Sequence, residues 1–165
     1  MVASGLRGLA NLDSESALGI AKKMENEDNG SIINAVGQVY GKIPSAENLS
    51  FFENKWDDMP VFASFDFFEN YFNLMKGLDD TNVKKAITKL NTFASDQEKS
   101  PWKRFASIKA MHDMREAYVD RASTITDATA KETIQANVDE ISSMIDTLKA
   151  NETHQQLKMI INTRF

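Results

Sequence analysis

Between Pro60 and Leu78, apolar side chains recur at helical spacing around almost the whole circumference of the segment, and this stretch narrows the fold more than any other. Val61, Phe65, Phe68, Phe72 and Met75 form one row, and Phe67, Tyr71, Leu74 and Leu78 form a second beside it. Only a narrow strip of Asp66, Glu69, Asn70, Asn73 and Lys76 stays polar. A helix this apolar must be covered on most sides. No part of the chain shows the sustained period-two alternation of a half-buried strand, so the cover is expected to be helical.

Eight further helical segments follow from apolar spacing and from start and stop signals. The first carries Leu6, Leu9 and Ala10; the second starts at a cap, Asp13 or Ser14, and shows Ala17, Ile20, Ala21 and Met24 on one face. Asn29-Gly30 ends it, and Ser31 is read as the cap of the third, with Ile32, Ala35, Val36 and Val39. Ser45 opens the fourth, burying Leu49, Phe52 and Trp56. The sixth follows Asp79-Asp80-Thr81 and carries Val83, Ala86, Ile87, Leu90 and Phe93. Ser100-Pro101 is a strong start for the seventh, since proline's missing N–H costs nothing at the first helical position. The eighth has a clean stripe, Ile134, Val138, Ile141, Ile145 and Leu148, and the last carries Leu157, Ile160 and Ile161.

These segments pair as hairpins, two with three, four with five, six with seven and eight with nine. Their starts near Ser14, Ser45, Thr81 and Thr124 are spaced roughly like a helical repeat. The expectation is an all-α stack of antiparallel helix hairpins forming one domain over residues 1–165; a four-helix bundle is the alternative. Leu6 and Leu9 either cover the next hairpin or mark a cut inside a longer chain.

Composition removes several function classes. There is no cysteine, which excludes thiolate metal sites, disulfides and cysteine nucleophiles. A net charge of −5 lacks the clustered cations a nucleic-acid backbone requires, so no nucleic-acid partner is expected. No apolar run is long enough for a membrane span, and Met1-Val2-Ala3-Ser4-Gly5 does not read as a signal peptide.

Residues able to do chemistry are correspondingly few. His112 and Glu116 have the spacing of two metal ligands on a helix, with Asp113 adjacent, but no third ligand is in view; a histidine at a helix surface is the plainer reading. His154, in the first turn of the last helix, is expected neutral and solvated. The acids Glu25, Glu27, Asp28, Asp57, Asp58, Asp79 and Asp80 sit at helix ends, where solvation or capping suits them better than acid–base work. No catalytic, metal or cofactor-binding residue is assigned. From Glu47 to Asp80 acids outnumber bases eight to two, whereas from Lys99 to Arg121 bases outnumber acids six to three. The second stretch is either a packing or solvated face, or a docking edge for an acidic partner through Lys103, Arg104 and Lys109. On the docking account, charge reversal at Lys103 and Arg104 leaves folding nearly intact.

Ser16 to Glu27 reads as an "ALxIAKKLE" helix, followed by Ser31 to Tyr40, Phe51-Phe52-Glu53 and Ser100-Pro101-Trp102-Lys103-Arg104-Phe105-Ala106. This order resembles the C-terminal helical-repeat region of bacterial zinc aminopeptidases, the gluzincin relatives of aminopeptidase N and leukotriene A4 hydrolase. The resemblance implies a HEAT-like α-α superhelix of about nine helices that shapes or covers access to an upstream active site, so that peptide substrates are met only indirectly. Zinc and its His-Glu-x-x-His helix belong to that upstream domain; the motif does not occur here, and no catalytic role passes to this chain. The alternative is a freestanding helical-repeat adaptor for a protein or peptide, and a self-contained enzyme ranks third.

Overall fold

The computed structural model describes all 165 residues. It contains nine α-helices and no strand, so the all-α expectation holds. The helices are α1 (Val2–Leu12), α2 (Ser14–Lys23), α3 (Gly30–Lys42), α4 (Leu49–Lys55), α5 (Val61–Lys76), α6 (Asp80–Ser95), α7 (Pro101–Thr124), α8 (Ala128–Asn151) and α9 (Gln155–Arg164). A 3₁₀ turn, Ala46–Asn48, leads into α4. The chain divides into two compact units, Met1–Val83 and Lys84–Phe165.

Side-chain caps fix most of the helix starts. Asp13 accepts the Ser16 N–H at 3.0 Å, and Asp79 accepts that of Asn82 at 3.0 Å. Asp127 does the same for Ala130 at 2.7 Å. These bonds, first those from Ser16 and Asn82, hold the Asp13 and Asp79 carboxyls below the usual range, as a charge-stabilising N-cap must. Two boundaries differ from the sequence reading. Asn29, rather than Ser31, caps α3 through Ser31 N and Ile32 N; Thr124 closes α7 instead of opening α8.

In the first unit, α1, α3 and α5 run parallel. Gly30 lies against Pro60 at one end of the α3–α5 contact, and Gly41 lies against Asn70 and Asn73 at the other. Asn11 of α1 accepts a hydrogen bond from Lys42 at the end of α3. The returning segments α2 and α4 close this layer from one side. Phe51 and Phe52 of α4 and Trp56 just past its end meet Tyr40 of α3 and Phe67, Phe68 and Tyr71 of α5, with neighbouring ring centroids 4.9–6.0 Å apart. The tyrosine hydroxyls reach the rim of this cluster, where Tyr71 donates to Glu53 at 3.1 Å and Tyr40 to Glu25. Burial, then the facing carboxylates, pushes both phenols well above their ordinary range.

The α5 pattern is core only from Phe67 onward. Phe67, Phe68, Tyr71, Leu74 and Met75 are buried, whereas Val61, Phe62 and Phe65 are exposed. The aromatic contacts from α4 reach α5 at Phe67, Phe68 and Tyr71, leaving its first turn beyond that cover.

In the second unit α7 and α8, each 24 residues, pack along their length as an antiparallel pair joined by residues 125–127. Ser107 Oγ donates to the Leu90 carbonyl at 2.9 Å, seating α6 on α7. Lys84 of α6 pairs with Glu140 of α8 at 2.7 Å. At the far end α9 lies on α7, with Phe165 stacked on Phe105 at 5.7 Å.

Glycines separate into two kinds. A Cβ at Gly41 stands 2.9 Å from the Asn70 carbonyl oxygen, and one at Gly77 overlaps the Pro44 ring, while Gly19 has nothing within 4 Å. Gly41→Ala and Gly77→Ala are expected to destabilise the first unit by about 1–3 kcal/mol through forced backbone shifts. Gly19→Ala, inside α2, is expected to stabilise it by about 0.5–1 kcal/mol. Urea midpoints for the three variants check the sign of each.

Candidate functional site

A cleft of about 560 Å³ opens on the first unit between α1, α3 and α5. The α3 wall presents Asn34 and Gln38, one turn apart, and the α5 wall presents Asp66, Glu69, Asn70 and Asn73. Lys42 and Lys76 stand at its far end, and Arg7 of α1 leans over the middle. A smaller recess of about 290 Å³ shares Arg7, Asn34 and Asp66 and carries the groove on to Pro60 and Phe62. Phe62 stands at that end 86% exposed.

The floor of this groove is unusual in chemistry. Asn34 is only 7% exposed, and its Oδ1 accepts from Asn70 Nδ2 at 3.3 Å. The Asn34 amide nitrogen has no partner in the protein, and neither do Gln38 and Asn73. Their donors and acceptors therefore face the groove. Arg7, Asp66 and Glu69 make no ion pair with one another; Lys42 donates to the neutral Asn11 and keeps its charge, and Lys76 lies over the Phe72 ring at 5.5 Å. Carboxamides that donate and accept, with both signs of charge near them, suit a ligand rich in hydrogen-bonding groups of both kinds.

The docking edge expected of the basic run does not assemble, and Arg104 is the reason. It is 2% exposed, its Nε donates to the Ala94 carbonyl at 2.9 Å, and its Nη2 pairs with the equally buried Glu152. The other Glu152 oxygen accepts the His154 N–H at 2.8 Å. One ion pair thus ties the end of α6, the start of α7 and the α8–α9 turn together. Lys103 is half-buried and already engaged, and Lys109 is exposed but pairs with Asp113 one turn along.

Neither histidine stands as an isolated surface group. The His112 ring meets Phe165 edge-on at 4.6 Å, and its Nδ1 lies 3.2 Å from Arg115 Nη2 and 3.7 Å from Glu116. Burial, then Arg115, lowers its pKa from the ordinary 6.5, against weaker opposing pulls from Asp113 and Glu116. His154 is half-buried and caps α9, its Nδ1 accepting the Leu157 N–H at 3.3 Å, where solvation had been expected. Among the acids, Asp79 caps, Glu25 binds Tyr40, and Asp28 reaches Lys55 at 3.5 Å.

The strip from Asp66 to Lys76 was visible in the sequence as the polar remainder of α5. Its partner wall was not, because Asn34 and Gln38 sit among small and β-branched residues that read as core. No family model, curated protein or solved structure matches this chain.

Two outcomes follow for the second unit. Arg104→Ala is expected to cost about 3–5 kcal/mol, because it strands the Glu152 carboxylate without water. Arg104→Met with Glu152→Leu is expected to recover much of that loss in urea melts. For His112, folded and unfolded states are both neutral above pH 6.5, so its contribution is full there. As pH falls below 6.5 the unfolded chain takes the proton first, and stability declines until the lowered folded pKa is passed. His112→Gln is expected to flatten this part of the slope in urea midpoints taken at pH 7.5, 6.5 and 5.5.

Proposed function

We propose that the chain is a helical binding module, and that it engages a partner through the groove between α1, α3 and α5. The observation that carries the reading is Asn34, a buried carboxamide whose donor is left for something in the groove to take. The donor is not sealed in the core but opens on the groove, where water meets it until a ligand carbonyl of matching chemistry takes its place. The neighbouring unpaired amides of Gln38 and Asn73 extend the same chemistry along both walls. In this reading the chain hydrolyses nothing and works by holding a protein or peptide.

A second reading, the access-shaping C-terminal helical domain of a zinc aminopeptidase, draws support from the Tyr40, Phe51-Phe52-Glu53 junction. Tyr40 packs edge-on against Phe51 at 5.3 Å, and Phe52 sits fully buried beside it. Zinc in this case belongs to the upstream domain. Reading the gene upstream of Met1 tests it, with His-Glu-x-x-His in frame as the supporting result.

For the binding module, a photo-crosslinking amino acid placed at Gln38 or Asn73 is expected to give adducts in the native cells. The same group at Ser143, exposed on α8, is expected to give none. Equal labelling from all three positions, or none from the groove, removes the proposal.

A further inference from the structure

We infer that the groove takes an extended peptide segment of about six residues, held by its backbone, with an apolar side chain at the Phe62 end and an acidic one at the Lys42–Lys76 end. This rests on the groove being the binding surface and adds the class of ligand.

Length comes first. From Phe62 to Lys76 the α5 wall runs fourteen residues, about 21 Å of helix, and the parallel α3 wall keeps pace from Gly30 to Lys42. An extended chain advances about 3.3 Å per residue, so about six residues span it. A single sugar or nucleotide leaves most of that length empty.

Chemistry comes second. A peptide edge offers one N–H donor and one C=O acceptor per residue, and a carboxamide answers both. Asn34 offers an open donor on the α3 wall, while Asn70 keeps its Oδ1 open on the α5 wall. Asn34 and Gln38 are separated by about 6 Å along α3. That is close to the roughly 6.6 Å over which an extended chain repeats the same edge, so successive amides meet equivalent backbone groups.

Charge sets the direction. Lys42 and Lys76 close the groove at one end, and the exposed ring of Phe62 marks the other. Arg7, Asp66 and Glu69 line the middle, where two acids and one base disfavour acidic side chains in that stretch of ligand.

The test pans a phage-displayed library of random heptapeptides on the full 165-residue chain, with a Gln38→Ala/Asn73→Ala double variant as the counter-selection. Both side chains lack protein partners, so the variant is expected to melt within a few degrees of the parent, which circular dichroism checks. Enriched peptides are expected to carry Asp or Glu toward one end and an apolar residue toward the other. By fluorescence anisotropy each Ala substitution is expected to weaken the best peptide about fivefold, the loss of roughly one hydrogen bond. N-methylation of two internal peptide amides is expected to weaken it tenfold or more, and Lys42→Glu/Lys76→Glu to abolish the acidic preference. Three results overturn the inference: no enrichment over the variant, affinity indifferent to N-methylation, or groove amide shifts in NMR spectra with maltohexaose or chitohexaose but not with peptides. If groove crosslinks still form in any of these cases, the peptide class falls and the binding surface stands; if they fail too, both fall.

Discussion

The first unit depends on how closely two parallel helices approach. At Gly41 the α3 backbone lies directly on that of α5, where a Cβ would meet the Asn70 carbonyl at 2.9 Å; one turn earlier Gly37 leaves room for the Phe52 ring of α4 at 3.1 Å and the Phe67 ring of α5 at 3.4 Å. Contact at that range lets the aromatic rings of α4 reach across both helices from one side. On the opposite side the same approach brings Asn34 within hydrogen-bonding distance of Asn70. Core and groove are therefore two faces of one seam. Widening it loosens the ring cluster and separates the carboxamides together.

The second unit is tied differently. Its long pair, α7 and α8, is held by an ordinary apolar stripe in which Ile134, Val138, Ile141, Ile145 and Leu148 are all buried. The shorter elements are fastened by polar groups instead. Arg104 and Glu152 are fully withdrawn from water; the guanidinium joins the Ala94 carbonyl of α6 to a carboxylate 48 residues on, whose other oxygen holds its own turn at His154. A buried pair of this kind adds little net stability compared with apolar side chains of similar volume. What it does here is fix which helix end meets which turn, since only one arrangement satisfies both the guanidinium and the carboxylate.

Much of this was legible from local pattern. The stripes on α6 and α8, the caps at Asp13 and Asp79 and the proline-led start of α7 all depend on residues within a turn or two of each other. The aromatic rows of α5 marked a core helix, though their first turn projects past its cover because α4 is only seven residues long. Long-range pairing was not legible. Arg104 lies in a basic run and reads as surface charge; its partner is 48 residues away in a turn. The groove was half visible, since one wall was the polar strip of α5 and the other consisted of two amides in a segment that otherwise reads as core.

That asymmetry explains why amides matter more than the charges around them. A charged side chain on a helix needs no explanation beyond water, and Glu69 or Lys76 taken alone supports no function. Asn34 is different, because α3 is otherwise small and apolar where it meets α5: Ile33, Ala35, Val36 and Gly37 surround it, all buried. Folding by itself favours an aliphatic side chain at such a position, and Asn70 satisfies only one of the two groups that Asn34 brings. The remaining donor opens on the groove, so a ligand's carbonyl there exchanges with water for a bond that no protein group makes. The polar link across the seam and the open donor beside it thus come from the same residue, Asn34.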